Sequence, residues 1–270
     1  MAKILRLRVF AGPNGSGKST MYTQVRETLV NGHPVGMGVY VNPDEIARAL
    51  KEDGALDFGR YGVVANETEL SRFARRSGLL DGDEAILWFQ TGQQWSTNVF
   101  RLRRQVRADQ FAQLIAQFLV DKLIVERKKL SFETVFSHSS KLAVMDKARK
   151  NGYKVYLYFV ATESPLMNVD RVKTRVKQGG HDVPAEKIVE RYWRSLKQLV
   201  PALDLCYHAF LFDNSGEEPV MFAEMKVGDG GQQWSWDLQQ MPYWFIRFYL
   251  LAKGDPQLVD VARKAMRLKG

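Results

Sequence analysis

The chain has 270 residues, 45% of them hydrophobic and 26% charged, enough for one large α/β core with an insertion or appendage. A single Cys206 excludes an internal disulfide, and four His with one Cys leave no recognisable structural zinc pattern. The formal net charge of +9 invites a nucleic-acid partner, yet no nucleic-acid fold signature accompanies it.

Met1-Ala2-Lys3-Ile4 leads straight into a strand without a long apolar segment, and no run of about 18 uncharged apolar residues follows. A cytoplasmic protein without a secretory signal or a membrane span is therefore expected. Leu5, Leu7 and Val9 alternate with Arg6 and Arg8, which predicts a first strand. Next comes Gly12-Pro13-Asn14-Gly15-Ser16-Gly17-Lys18-Ser19-Thr20, a phosphate-binding P-loop. Its glycines allow successive N–H groups to turn around phosphate oxygens, and Lys18 supplies a point charge for the β- and γ-phosphates. Ser19 opens a helix, where the dipole favours an anion, and its hydroxyl is placed to ligate Mg²⁺. Met21, Val25 and Leu29 carry that helix, which Asn31-Gly32 is expected to close.

Val39-Tyr40-Val41 predicts a second strand ending at Asn42-Pro43-Asp44, with Glu45 restarting a helix. Ligands of open parallel sheets bind at the strands' carboxyl ends, so Asn42, Asp44 and Glu45 are candidate substrate residues. Residues 51–105 lose regular alternation and are expected to form a helical insertion or a binding lid. Its Trp88, Phe89 and Trp95 are either local core or ligand stackers. A helix returns with Phe111, Leu114, Ile115, Phe118, Leu119 and Leu123. The third strand, Ser131 to Phe136, carries Glu133, which needs a metal, a hydroxyl donor or a cation if it is buried. His138 beyond it could bind substrate or cap the next helix.

Lys154 to Val160 forms the fourth strand. Val169, Val172 and Val176 then stripe a helix on which Arg171 and Arg175 lie one turn apart, able to meet a phosphate together. Gly179-Gly180-His181-Asp182-Val183-Pro184 breaks it before a helix from Ala185 to Leu199, which predicts a hinged lid over the P-loop. A fifth strand, Ala209 to Phe212, ends at Asp213-Asn214-Ser215-Gly216, where Asn214 could touch the nucleotide base or merely turn the chain. The segment 217–270 is read as an appendage with a hairpin near Val220 to Lys226 and an aromatic helix from Tyr243 to Leu251.

Together these residues resemble the zeta-toxin family of P-loop kinases, carried by Ala11 to Thr20, Val41-Asn42-Pro43-Asp44-Glu45-Ile46-Ala47, Phe132 to Ser137 and Gly179 to Pro184. Arg191-Tyr192, Ser195-Leu196 and Phe212 to Ser215 extend the match. The resemblance implies a three-layer P-loop kinase-like α/β fold as a single domain over 1–270, with a five-stranded mainly parallel sheet, the insertion and a lid. It implies an ATP- or GTP-using, Mg²⁺-dependent kinase whose acceptor is a nucleotide, best represented by the 3′-hydroxyl of UDP-N-acetylglucosamine. A kinase for an NAD-like cofactor, a polynucleotide kinase and a non-catalytic nucleotide-binding module are the alternatives, and an antitoxin protein is a candidate partner. By motif position Asp44 is the expected base, Glu133 the family's glutamate after the third strand and Arg175 an arginine of the lid helix, while the family's second lid arginine is displaced here near His181. Arg171, one turn from Arg175, and Lys18 complete the expected catalytic set, and Glu133, His138, His181 and Arg191 are candidate substrate residues. Asn42 replaces an acid of the family's motif, and Val135 stands where the family has threonine.

Overall fold

A computed structural model describes residues 4–80, 82–103, 107–180 and 182–269. It is an α/β chain with a mainly parallel sheet, and it divides into two compact units, one of residues Met1–Met37 with Glu133–Gly270 and one of Gly38–Phe132. All five expected strands form, as Arg6–Ala11, Val39–Val41, Leu130–Thr134, Lys154–Ala161 and His208–Asp213.

In the first unit the strands lie side by side in the order Gly231–Trp236, Val220–Gly228, His208–Asp213, Lys154–Ala161 and Arg6–Ala11. Lys154–Ala161 pairs in parallel on both sides, from Arg6↔Lys154 to Ala11↔Phe159 and from His208↔Tyr156 to Asp213↔Ala161. The remaining two strands are an antiparallel hairpin from the tail, which the sequence hinted at near Val220. Aromatics pack against it: Phe222, Trp244 and Phe245 are buried, Trp234 stacks on Trp236, and both of these rings lie beside Phe245. The first strand departs from its expected alternation. Arg8 is buried along with Leu7 and Val9, donating to the Gly36 carbonyl at 2.6 Å beside the Tyr156 ring, because a strand covered on both faces leaves no solvent side.

Three boundaries are corrected. The P-loop helix ends at Glu27, and Leu29 is exposed in a small hairpin with His33–Pro34. Asn31 and Gly32 both take positive φ there, so the pair makes a two-residue hairpin turn, for which Asn-Gly is well suited. The third strand stops at Thr134, whose hydroxyl accepts from the Phe136 N–H while Phe136 turns left-handed at φ 60°. The helix from Ala185 ends at Lys197 and a second one, Leu199–Leu205, follows.

The second unit contains Val39–Val41 paired in parallel with Leu130–Phe132, and the long helix Ala108–Val125 with its buried Phe111, Leu114, Ile115, Phe118, Leu119 and Leu123. Residues 51–105 are not purely helical. They hold the helices Glu67–Arg76 and Gly82–Thr91 and a three-stranded antiparallel sheet in the order Ala55–Asp57, Val99–Leu102, Gln93–Ser96. Phe58 stacks on Trp95, and Phe89 and Trp88 pack on Phe111, so these aromatics are local core. Among the described residues no helix is long and apolar enough to cross a membrane. Cys206 is buried, with its thiol directed at the Ala202 carbonyl and its pKa pushed up by burial.

Candidate functional site

The P-loop connects the strand Arg6–Ala11 to the helix Lys18–Glu27 and turns on glycines with positive φ at 12, 15 and 17. Each is glycine because something presses on it. A Cβ at Gly12 would collide with the Val160 carbonyl, one at Gly15 would stand 2.7 Å from the Asn168 carbonyl oxygen, and one at Gly17 would stand 2.5 Å from the Asn214 amide nitrogen.

Two buttresses fix the direction of the loop's peptides. Asn168 Nδ2 donates to the Asn14 carbonyl at 2.6 Å, and Asn214 Nδ2 donates to the Ser16 carbonyl at 2.8 Å. In a trans peptide the N–H points opposite to the C=O, so pinning these carbonyls turns the Gly15 and Gly17 N–H groups the other way, as an anion cradle requires. The Ser16 hydroxyl is buried with no hydrogen-bond partner among the described residues. Lys18 Nζ donates to the Pro13 carbonyl at 2.8 Å, which holds the ammonium over the loop.

At the start of the helix Ser19 Oγ donates to Glu133 Oε2 at 2.9 Å. Glu133 is buried, and of the partners expected for it the structure supplies a hydroxyl donor. Thr20 is exposed on the same first turn. The two oxygens at Ser19 and Glu133 suit Mg²⁺, a hard cation held by one or two carboxylates together with phosphates and water. Among the described residues no group of three His, Cys, Asp or Glu gathers to hold a metal by itself.

The helix Pro165–Lys177 starts from a Ser164 cap with Pro165 in its first turn. Asn168, Arg171 and Arg175 follow one another at spacings that put them along one stripe, and its first member is the P-loop buttress. Arg171 donates to the Gly216 carbonyl at 3.3 Å, and the Arg175 side chain packs so closely on Gly180 that a Cβ there would stand 2.6 Å from its Cγ. Val169, Val172, Val183 and Ile188 form a small core that joins this helix to Ala185–Lys197, on which Arg191 is half-buried. The predicted hinged lid is thus anchored at its base: Asn168 is fully buried and Val172 lies against Gly15. His181 lies outside the described residues.

Behind the loop, Thr162 Oγ1 hydrogen-bonds Asn168 Oδ1 and so orients the amide. Asp213 accepts from Trp244 Nε1 at 3.0 Å and from the Ser215 N–H and hydroxyl, which ties the aromatic tail to the turn that carries Asn214. Glu163 accepts from the Tyr243 N–H at 2.8 Å, and burial raises its pKa. Asn168 and Thr162 were missed in the sequence. The available signal was a polar residue interrupting the helical stripe one turn before Val172. The amide of Asn214 holds the P-loop backbone.

His138 takes the structural option, its Nδ1 accepting from the Ser140 N–H at 3.1 Å at the start of the helix Ser140–Lys150. Lys141, one residue further on, is pushed down to about 8 by burial. In the second unit Asn42 caps the helix Pro43–Glu52: its Oδ1 accepts from the Asp44 N–H at 2.9 Å and its Nδ2 donates to Tyr40 OH at 3.0 Å. The side-chain oxygen of Asn42 serves the cap and its nitrogen serves the Tyr40 hydroxyl. Asp44 and Glu45 are exposed in the first turn, where the helix dipole stabilises negative charge.

Residues 102–216 match the zeta toxin family model. A protein of Haemophilus influenzae described as uncharacterized is 33% identical over 60 residues, which cover 22% of this chain and 43% of that protein, so the chain matches less than half of that relative's length. Among solved structures, that of the AvrRxo1-ORF1:AvrRxo1-ORF2 complex with ATP shares 15% identity at a TM-score of 0.48, covering 98% of this chain and 76% of that one. The PezAT chromosomal toxin-antitoxin system of Streptococcus pneumoniae gives 16% identity and a TM-score of 0.43 over 81% of this chain and 72% of that one.

Proposed function

We propose that this chain, zeta-toxin-like over residues 102–216, is a nucleotide-dependent kinase that moves the γ-phosphoryl group of ATP or GTP to a hydroxyl of a nucleotide-type acceptor. The observation that carries the reading is the loop from Gly12 to Ser19, with its carbonyls pinned by Asn168 and Asn214 and its serine facing Glu133. A decorative glycine turn has no use for two side-chain amides, one of them fully buried, held on its backbone.

In the proposed reaction the acceptor oxygen bonds the γ-phosphorus as the bond to the β,γ-bridging oxygen breaks, leaving the nucleoside diphosphate. Asp44 takes the hydroxyl proton, the role the family motif gives it. The Gly15 and Gly17 N–H groups, Lys18 and the Ser16 hydroxyl bind the donor's phosphates. Arg171 and Arg175, with Arg191 on the neighbouring helix, stabilise charge on the transferring group. Ser19 and Glu133 would hold Mg²⁺, which neutralises charge across the β- and γ-oxygens when bound. We infer UDP-N-acetylglucosamine, through its 3′-hydroxyl, as the first acceptor to try, and an NAD-like cofactor as the second. An antitoxin that blocks this site is the partner that the family match supports.

The test is incubation of the full chain with γ-labelled ATP and a bacterial metabolite extract, followed by mass spectrometry of labelled products. One phosphorylated nucleotide species is expected. ATP binding without any labelled product would replace the kinase with a nucleotide-binding module.

A further inference from the structure

The tail from Val220 onward supplies no group to the proposed chemistry, yet it docks on the first unit with Met241, Trp244, Phe245, Tyr249 and Leu250 all buried. The Trp244 ring packs on Phe159 of the strand Lys154–Ala161 and on Phe222 of the tail hairpin, at centroid distances of 5.7 and 5.4 Å. Its indole N–H donates to Asp213 Oδ1 at 3.0 Å. Asp213 also accepts from the Ser215 hydroxyl at 3.0 Å and from the Ser215 N–H at 3.1 Å, so Asn214 sits in a turn closed from both sides. Ser215 Oγ accepts from the Glu163 N–H at 2.8 Å, and the Glu163 carboxylate accepts in turn from the Tyr243 N–H.

This knot lies at the root of both P-loop buttresses. Asn214 leaves it with its backbone N–H on the Ala161 carbonyl at 2.8 Å and its side-chain amide on the Ser16 carbonyl. Thr162 precedes Glu163: its carbonyl accepts from the buried Tyr192 hydroxyl at 2.5 Å, and its own hydroxyl meets Asn168, the buttress of the Asn14 carbonyl. We propose that Tyr243 and Trp244 are positioning residues for the nucleotide: by holding Glu163 and Asp213 they set the two amides that aim the Gly15 and Gly17 N–H groups at phosphate. The inference rests on the P-loop's binding a nucleotide, which is the donor half of the kinase reading, and not on transfer. Burial, and after it the charge of Asp213, raise the Glu163 pKa, while the Tyr243 N–H opposes them. Two acids that repel each other stay together behind the loop because the tail's N–H groups answer them. Without those donors the knot opens, and a nucleotide must close it in order to bind. By linkage, a bound nucleotide tightens the tail in the same measure.

The experiment titrates the full chain with ADP and with a non-hydrolysable ATP analogue by calorimetry, with Mg²⁺ and without any acceptor. Trp244→Phe keeps an aromatic ring in place while removing the indole N–H, and Ser215→Ala removes the hydroxyl that joins Asp213 to Glu163. Each should weaken nucleotide binding by about 3- to 10-fold. Met145→Ala empties a buried site on the helix Ser140–Lys150, outside this network, and should lower the melting temperature while leaving nucleotide affinity within about twofold. Hydrogen exchange gives the reciprocal readout: ADP should slow amide exchange over residues 243–250 of the wild-type chain by a factor that Trp244→Phe reduces. Unchanged affinity in both Trp244→Phe and Ser215→Ala, an equal loss in Met145→Ala, or tail exchange indifferent to ADP overturns the proposal and leaves the tail as packing alone. A wild-type chain that binds no nucleotide overturns it together with the donor half of the kinase reading. Binding that follows the predicted order with no label reaching any acceptor keeps the positioning role and sinks only the kinase reading.

Discussion

Asn168→Ala is the most informative substitution away from the chemistry. The amide is fully buried, donates to the Asn14 carbonyl at 2.6 Å and accepts from the Thr162 hydroxyl. Truncation leaves the Asn14 carbonyl without that donor, at about 1–3 kcal/mol for a buried group, and removes packing around the lost amide. The Thr162 hydroxyl has an alternative, because the Ser164 carbonyl lies 3.1 Å away, so its share of the cost is small. A total of about 2–4 kcal/mol should lower the melting temperature by roughly 5–15 °C. Once the Asn14–Gly15 peptide is free to rotate, the Gly15 N–H no longer faces the phosphate. Loss of one charge-assisted bond is about 1.5–3 kcal/mol, or about 10- to 100-fold in nucleotide affinity. Calorimetric melting and nucleotide titration measure the two effects separately. An Asn168→Ala protein that melts within about 1 °C of the parent and binds ATP within about twofold would refute the buttress reasoning.

Gly15→Ala meets the Asn168 carbonyl and a left-handed backbone together, so it should lose nucleotide binding with only local destabilisation of about 1–2 kcal/mol; normal ATP affinity would show that the cradle is not built as described. Glu133→Gln preserves an acceptor for Ser19 but removes the charge, and should raise the Mg²⁺ concentration for half-maximal turnover by about 10- to 100-fold, whereas an unchanged Mg²⁺ titration would separate Glu133 from the metal. Burial pushes the Lys141 ammonium down to about 8, below the ordinary lysine value of 10.5. Between those values the unfolded chain binds more protons, so stability contributed by this group rises with pH over that window and is absent below it. Lys141→Met should remove that rise in pH-dependent thermal melts, and an identical pH profile would mean that Lys141 is not buried as charged.

What was legible in the sequence was local. The P-loop is one uninterrupted segment in which each glycine reports its own backbone demand, and the strands around it carry apolar runs long enough to stand out. What was hidden was distant. Asn168 reaches a carbonyl 154 residues earlier and Glu133 a hydroxyl 114 residues earlier, and neither pairing leaves a periodic trace. Arg8 misled because alternation implies a wet face that a fully covered strand lacks. At Asn42 the local signature, Asn-Pro-Asp-Glu, announces the helix cap that its side chain makes. The hairpin of Gln93–Ser96 and Val99–Leu102 escaped because it turns at Thr97-Asn98 without glycine, with Thr97 itself at φ 49°.

The central claim is that phosphate is transferred and not only held. Single-turnover mixing of the full chain with γ-labelled ATP, Mg²⁺ and the acceptor identified from the metabolite screen measures it directly, with Lys18→Ala and Asp44→Asn alongside. The wild-type chain should pass label to the acceptor, Lys18→Ala should lose both binding and transfer, and Asp44→Asn should bind ATP normally while transferring about 10²- to 10⁴-fold more slowly. Equal transfer by Asp44→Asn would remove its role as base, and ATP bound by the wild-type chain with no label on any acceptor would contradict the claim itself.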